Sequence, residues 1–330
     1  MVKVFQIISS GRRATKTYSS VIPSSNLQCR AREILNASLS PSTQKTYNAG
    51  LQLFEDFRRR QLFRLIWPPP LNHLVNFISF MSIKNYSPST MSTNISAISF
   101  SCKMSNSNDP TQTFIIKKML QGVKRIDKRE DSRSPITLGI LNKIVHSLPS
   151  ICSSNYEATL FSAIFVFAFF GFFRIGELVQ NSKFDLGHAL QIKDVSFNSR
   201  LNAVEINIAH SKTDKKAKGT PILLPASGSV ICPVKAYLAY TSIRPNFIGA
   251  FFCHLLGMPV TRYQCQSVLQ KALTVIGLSN EHFCLHSFRI GAATSAHLSN
   301  FSNEDIAKYG RWSSNAFKTY IRIPSRSFKV

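Results

Sequence analysis

Leu160 to Phe173 form a run of fourteen residues without a single charge. A bilayer span needs about 20 apolar residues, so this run is too short to cross a membrane and reads as a helix buried in a protein core. It ends in Arg174, with Glu177 three residues further on. A guanidinium at the end of a wholly apolar helix is costly unless it is paired or holds an anion. Glu177 lies on the same helical face and could orient it. A purely structural Arg–Glu pair capping a core helix accounts for the two residues equally well.

The charge balance says what kind of partner to look for. The 330 residues carry 40 Lys plus Arg against 16 Asp plus Glu, a formal net charge of +24. Such a surplus favours a polyanion. With 44% hydrophobic and 11% aromatic residues, the chain is nonetheless a folding sequence and not a basic disordered tail. No lipidation motif or basic amphipathic helix points to a membrane surface, so nucleic acid is the expected partner. The seven cysteines, at 29, 102, 152, 232, 253, 265 and 284, include no CxxC pair. An odd count in a long chain with no secretory signal reads as reduced intracellular thiols. Cys253, His254, His282, Cys284 and His286 match no common zinc spacing, so neither a metal nor a cofactor is expected.

Residues 1–37 are basic (Lys3, Arg12, Arg13, Lys16, Arg30, Arg32), with no acid before Glu33. They read as a flexible arm, or as a targeting segment of the same composition. Residues 38–130 read as a small helical domain. Ser-Pro-Ser-Thr occurs twice, at 40–43 and 87–90, each time placing a capping serine before a proline at the first helical position. Tyr47, Leu51, Phe54 and Phe57 recur at helical spacing after the first. Leu71 to Met81, Met91 to Ile98 and Ile116 to Val123 mark three more helices. Arg58 and Arg59, Lys117 and Lys118, and Lys124 and Arg125 are candidate phosphate contacts, although such runs are often just solvated faces. The charged stretch 127–134, followed by Pro135, marks a connection between domains, with 131–136 as the link and 137–330 as the second domain. In that domain Leu190–Phe197, Ala203–Ala209 and Thr220–Leu224 are strand-like, and from Pro233 onward the pattern is helical again.

Three further features carry chemistry. Lys212 lies in the turn after the second strand, before Lys215, Lys216 and Lys218. His286 and Arg289 are three apart, so an imidazole and a guanidinium point to one place on an apolar segment, where an anion such as phosphate would reconcile them. Gly310-Arg311-Trp312 then leads through a Ser-Ser cap to Tyr320. Each element arises readily by chance, and the order is what discriminates.

Arg, Lys in a hairpin turn, HxxR, a Gly-Arg-Trp segment and a late Tyr together resemble the tyrosine recombinases, which include Cre, the Xer proteins and the phage integrases. The resemblance covers about 137–330. The wording of FFRIGEL, HSKTD, LHSFRIGAAT and GRWSSNAFKTYIR is most similar to recombinases of Crypton- and DIRS-type eukaryotic mobile elements. It implies a mainly α protein, with a helical core-binding domain and an α+β catalytic domain holding a small antiparallel three-stranded sheet. It also implies roles. Arg174 and Arg289 would grip the scissile phosphate and Tyr320 would attack it, with Lys212 protonating the leaving oxygen and His286 assisting proton transfer. Glu177 would support. The family's His or Trp directly after the glycine is here Arg311, with Trp312 one residue later. Trp312 fills that role through a shifted turn, or Arg311 adds a third cation.

The expected partner is double-stranded DNA, bound by a homotetramer on two paired sites, with monomers or weak oligomers when free. The expected location is the nucleus, or wherever the target DNA lies. Ten residues follow Tyr320, leaving little length for a C-terminal helix that docks into a neighbour. The rival readings are a catalytically silent DNA-binding descendant and a type IB topoisomerase-like enzyme. A metal-dependent nuclease would need clustered acids, and no convincing acidic triad stands out among the 16 carboxylates.

Overall fold

The computed structural model describes residues 24–129, 131–181, 189–208 and 220–322. The chain divides into two compact units, Met1–Glu130 and Asp131–Val330. Among the described residues no helix is long and apolar enough to cross a membrane.

The first unit contains α1 (Ser24–Ala37), α2 (Pro41–Arg60), α3 (Leu71–Ile83), α4 (Pro88–Met104) and α5 (Phe114–Ile126). Both Ser-Pro-Ser-Thr motifs start helices as their chemistry demands. Ser40 accepts the Thr43 N–H at 3.2 Å and Ser87 accepts that of Thr90 at 3.1 Å. Phe54, Phe57, Leu74, Phe77, Ile78, Met81, Met91, Ile95, Ile98 and Ile116 interlock as the core. α1 falls inside the segment expected to be an arm. Its residues are good helix formers, and Arg30 pairs with Glu33 one turn on at 2.8 Å.

The second unit runs α6 (Leu138–Ile151), α7 (Asn155–Phe170), α8 (Ile175–Leu178), β1 (Val195–Asn198), β2 (Ala203–Ile208), β3 (Thr220–Pro225), α9 (Pro233–Thr241), α10 (Arg262–Val275), α11 (Ser287–Leu298) and α12 (Asn303–Tyr309), closing with a 3-10 turn at Asn315–Tyr320. The strands form one antiparallel sheet in the order β1-β2-β3, with Val195 opposite Ile206 and Val204 opposite Leu224. The fold class is therefore the one expected. β1 starts later than its apolar pattern suggests. The Asp194 carboxylate accepts the Gln191 N–H at 3.3 Å, which holds Ile192–Asp194 in a 3-10 turn.

The uncharged run forms α7, buried around nearly its whole circumference and packed against α6, α9 and α11. The helix stops at Phe170, not at Arg174. Gly171 and the left-handed Phe172 (φ 51°) turn the chain, and Arg174 becomes the N-cap residue of α8. The 131–136 link is also different from its charged, Pro-containing reading. Ser134 donates to the His282 carbonyl at 2.7 Å and Ile136 to that of Ser287 at 3.0 Å, and Ile136 is fully buried. A Cβ on Gly291 would meet the Ile136 carbonyl oxygen at 1.8 Å, so only glycine lets α11 approach this strand of chain.

Arg58, expected on a basic face, is instead buried in the first unit, only 1% exposed. It donates to the Ile66 carbonyl at 2.8 Å, pairs with Glu55 at 2.5 Å and lies over the Phe54 ring. Its two terminal nitrogens are committed to the fold, while its buried Nε has no partner. Arg58→Ala should lower stability to urea by roughly 2–3 kcal/mol, below the usual cost of breaking a buried pair because Glu55 is partly hydrated. Arg59→Ala, at an exposed position, should stay within about 0.5 kcal/mol.

Candidate active site

Four segments of the second unit converge: the α7–α8 turn, the start of α11, the turn after α12 and the terminal 3-10 turn. Arg174 brings its guanidinium to Glu177 at 3.0 Å, while its own N–H donates to the other carboxylate oxygen at 3.0 Å. The two residues meet as cap and third residue of α8, and not as neighbours on one long helix. Arg311 approaches the same carboxylate at 2.8 Å and donates to the Gly171 carbonyl at 3.0 Å. Glu177 thus lies between two guanidinia and is itself buried.

Arg289 is fully buried in the first turn of α11. Its terminal nitrogens donate to the carbonyls of Phe172 and Gly310, and its Nε has no partner. Of its five guanidinium N–H donors, two are used by these carbonyls. Trp312 lies 4.1 Å (ring centroid) below the Arg289 guanidinium and 4.9 Å from the Tyr320 ring. His286 is 5.1 Å from the Tyr320 ring on another side. Tyr320 therefore sits among His286, Trp312 and Arg289, the last 5.9 Å from its ring.

The local charge is mostly positive. Burial, followed by Arg133, Arg289 and Arg174, lowers His286 to about 4, against a small opposing pull from Asp131. Burial, then Arg174 and Arg311, brings Arg289 down to about 9. Burial also lowers Arg311, and Glu177 offsets it. An anion placed here would reverse these shifts, since they arise from desolvated like charges.

No family model matches the chain. It is 24% identical over 286 residues to an integrase/recombinase xerD homologue of Selenomonas ruminantium, covering 82% of this chain and 78% of that protein. Among solved structures it superposes on the XerH site-specific recombinase with TM-score 0.61 at 17% identity, over 84% of this chain and 75% of that one. A lambda integrase dimer gives TM-score 0.62 at 13% identity, over 94% and 80%. The Tn1549 transposon integrase gives 0.63 at 14% identity, over 90% and 94%. The chain has the tyrosine recombinase fold.

Within this recombinase fold, Arg174, His286, Arg289, Trp312 and Tyr320 come together, with Glu177 and Arg311 beside them. Lys212 and Lys215 lie outside the described residues. Arg59, Lys117, Lys118, Lys124 and Arg125 are exposed in the first unit. The Arg311–Trp312 ambiguity has a geometric outcome. Arg311 takes a left-handed backbone (φ 55°), which turns its side chain back onto Glu177 and leaves Trp312 beside the tyrosine. Gly310 makes this possible, because a Cβ there would fall 1.7 Å from the Trp312 ring. The indole Nε1 is buried without a partner.

Sequence reasoning missed Asp131, Arg133, Thr294 and Arg322. Asp131 pairs with Arg133 at 2.7 Å and with Arg322 at 2.7 Å, and Thr294 bonds to the backbone around Tyr320. The Asp131-Ser-Arg133 stretch read as linker charge, which hid it. Among the described residues no three His, Cys, Asp or Glu side chains gather to hold a metal ion.

A folded-state value for His286 below its ordinary 6.5 means that the unfolded chain binds the extra proton first. Stability should therefore fall as pH drops from about 6.5 to about 4, and level off below. His286→Asn should flatten this part of the curve, measured as urea midpoints at stepped pH.

Proposed function

We propose that the chain is a site-specific DNA recombinase or integrase, which cuts and rejoins duplex DNA through a 3′-phosphotyrosyl intermediate. The single observation that carries this reading is the Tyr320 ring packed among His286, Trp312 and the buried Arg289. The relatives support the same partner: XerH was solved on its difH substrate, lambda integrase on a core site and the Tn1549 integrase on transposon-end DNA.

In the reaction, Tyr320 Oη attacks the scissile phosphorus and the bond to the 5′ oxygen breaks. The phenolic proton passes to His286, whose ring lies 5.1 Å from that of Tyr320. Lys212 gives a proton to the leaving 5′ oxygen. Arg174, Arg289 and the Trp312 indole N–H hold the non-bridging oxygens as charge builds on them. Rejoining is the reverse, with a 5′-hydroxyl from a second duplex displacing the tyrosine, so no external energy source is required. Arg59, Lys117, Lys118, Lys124, Arg125 and Lys215 contact phosphates. The enzyme works as a tetramer on two paired sites, in the compartment of its target DNA, the nucleus in a eukaryotic host. The wording of its motifs supports descent from a mobile element.

A nicked suicide substrate tests this, with the site first selected from random DNA by binding. Wild-type protein should form a covalent adduct in EDTA, and Tyr320→Phe should form none. Binding without an adduct on any selected site would favour a silent DNA-binding protein instead. Trp312→Phe, which removes one donor to the phosphate, should slow adduct formation roughly 100-fold. Arg311→Ala should act indirectly, by releasing Glu177 onto Arg174.

A further inference from the structure

The backbone that carries Tyr320 is fastened at three successive points. The Arg322 guanidinium donates to the Thr319 carbonyl, on the residue before the tyrosine. The Thr294 hydroxyl donates to the Tyr320 carbonyl at 3.3 Å and accepts the Arg322 N–H at 3.0 Å. Thr294 is 2% exposed and stands on α11, the helix whose first turn presents Arg289. The same Arg322 guanidinium then reaches Asp131 Oδ2 at 2.7 Å. Asp131 also takes Arg133 at 2.7 Å, and Arg133 is the largest charged influence on His286. One carboxylate thus holds both Arg133 and Arg322.

We propose that Asp131 is a positioning residue for Tyr320, acting through Arg322 to fix the terminal turn against Thr294. This rests on the recombinase reading. Asp131 is the first residue of the second unit, immediately after its boundary with the first. Its ion pairs are partly exposed, with Asp131 38% and Arg322 28% accessible, so they add little to stability. Their effect lies in geometry, where a displacement of about 1 Å can cost about 100-fold in rate. With Asp131 lowered to about 2, first by its bond to Arg133, the clamp stays ionised throughout the neutral range.

The experiment uses the full chain on the nicked suicide substrate, with two nucleophiles. Tyrosine-dependent cleavage is read as covalent adduct. Hydrogen peroxide added to a Tyr320→Phe background supplies an external nucleophile that needs the phosphate-binding residues but not the tyrosine's pose. Asp131→Asn should slow adduct formation about tenfold or more. It should leave peroxide-supported cleavage within about twofold and the melting temperature unchanged. Arg322→Gln should give the same split, and the double variant should be no slower than the slower single one, because both act through one contact. The charge-swapped pair Asp131→Arg with Arg322→Asp should recover part of the rate. Wild-type adduct rates in Asp131→Asn, equal losses with both nucleophiles, or additive losses in the double variant would each overturn the proposal. Absence of adduct from the wild type would overturn the recombinase reading itself, and the proposal with it.

Discussion

The buried carboxylate of Glu177 holds the site together. It accepts from Arg174 at 3.0 Å and from Arg311 at 2.8 Å, in a region where neither guanidinium could be left unpaired. Glu177 thereby offsets part of the positive charge that Arg174, Arg289 and Arg311 bring together. Arg289 has no carboxylate of its own and is held by the carbonyls of Phe172 and Gly310. Burial, then the neighbouring Arg174 and Arg311, bring it down to about 9.

α7 supplies the rigidity on which this balance rests. Buried almost all round, it sets the level at which the chain must turn, and Phe172 and Arg174 leave it in a fixed direction. Phe165 stacks on Phe288 with ring centroids 5.0 Å apart, which ties α7 to the start of α11, where His286 and Arg289 sit. Hydrophobic packing of this density permits little drift, so polar groups mounted on it keep their geometry.

Much of the site could be read before any coordinates, because the ordered set of residues resembles that of the tyrosine recombinases. Arg174, His286, Arg289 and Tyr320 were singled out on that ground and they do converge. Arg58 shows the limit of such reading. Three adjacent arginines look alike as a string, and only helix phase against Phe54 and Trp67 sends the first inward while Arg59 faces water. The 131–136 segment shows another limit. Charge and proline mark a connection, but hydrogen bonds to His282 and Ser287 make it part of the second unit.

By itself, the sequence determined most of the helices, the two Ser-Pro caps, much of both cores and the antiparallel sheet. These follow from local rules of spacing, capping and burial that act over a few residues. Tertiary structure alone decided which side chains share a partner. Glu177 and Arg311 are 134 positions apart, and Asp131 and Arg322 are 191 apart. It also set where Arg311 and Trp312 lie, because the left-handed turn after Gly310 sends one onto Glu177 and leaves the other beside Tyr320. Charge pairing at such separations depends on how elements pack, and no local pattern encodes it.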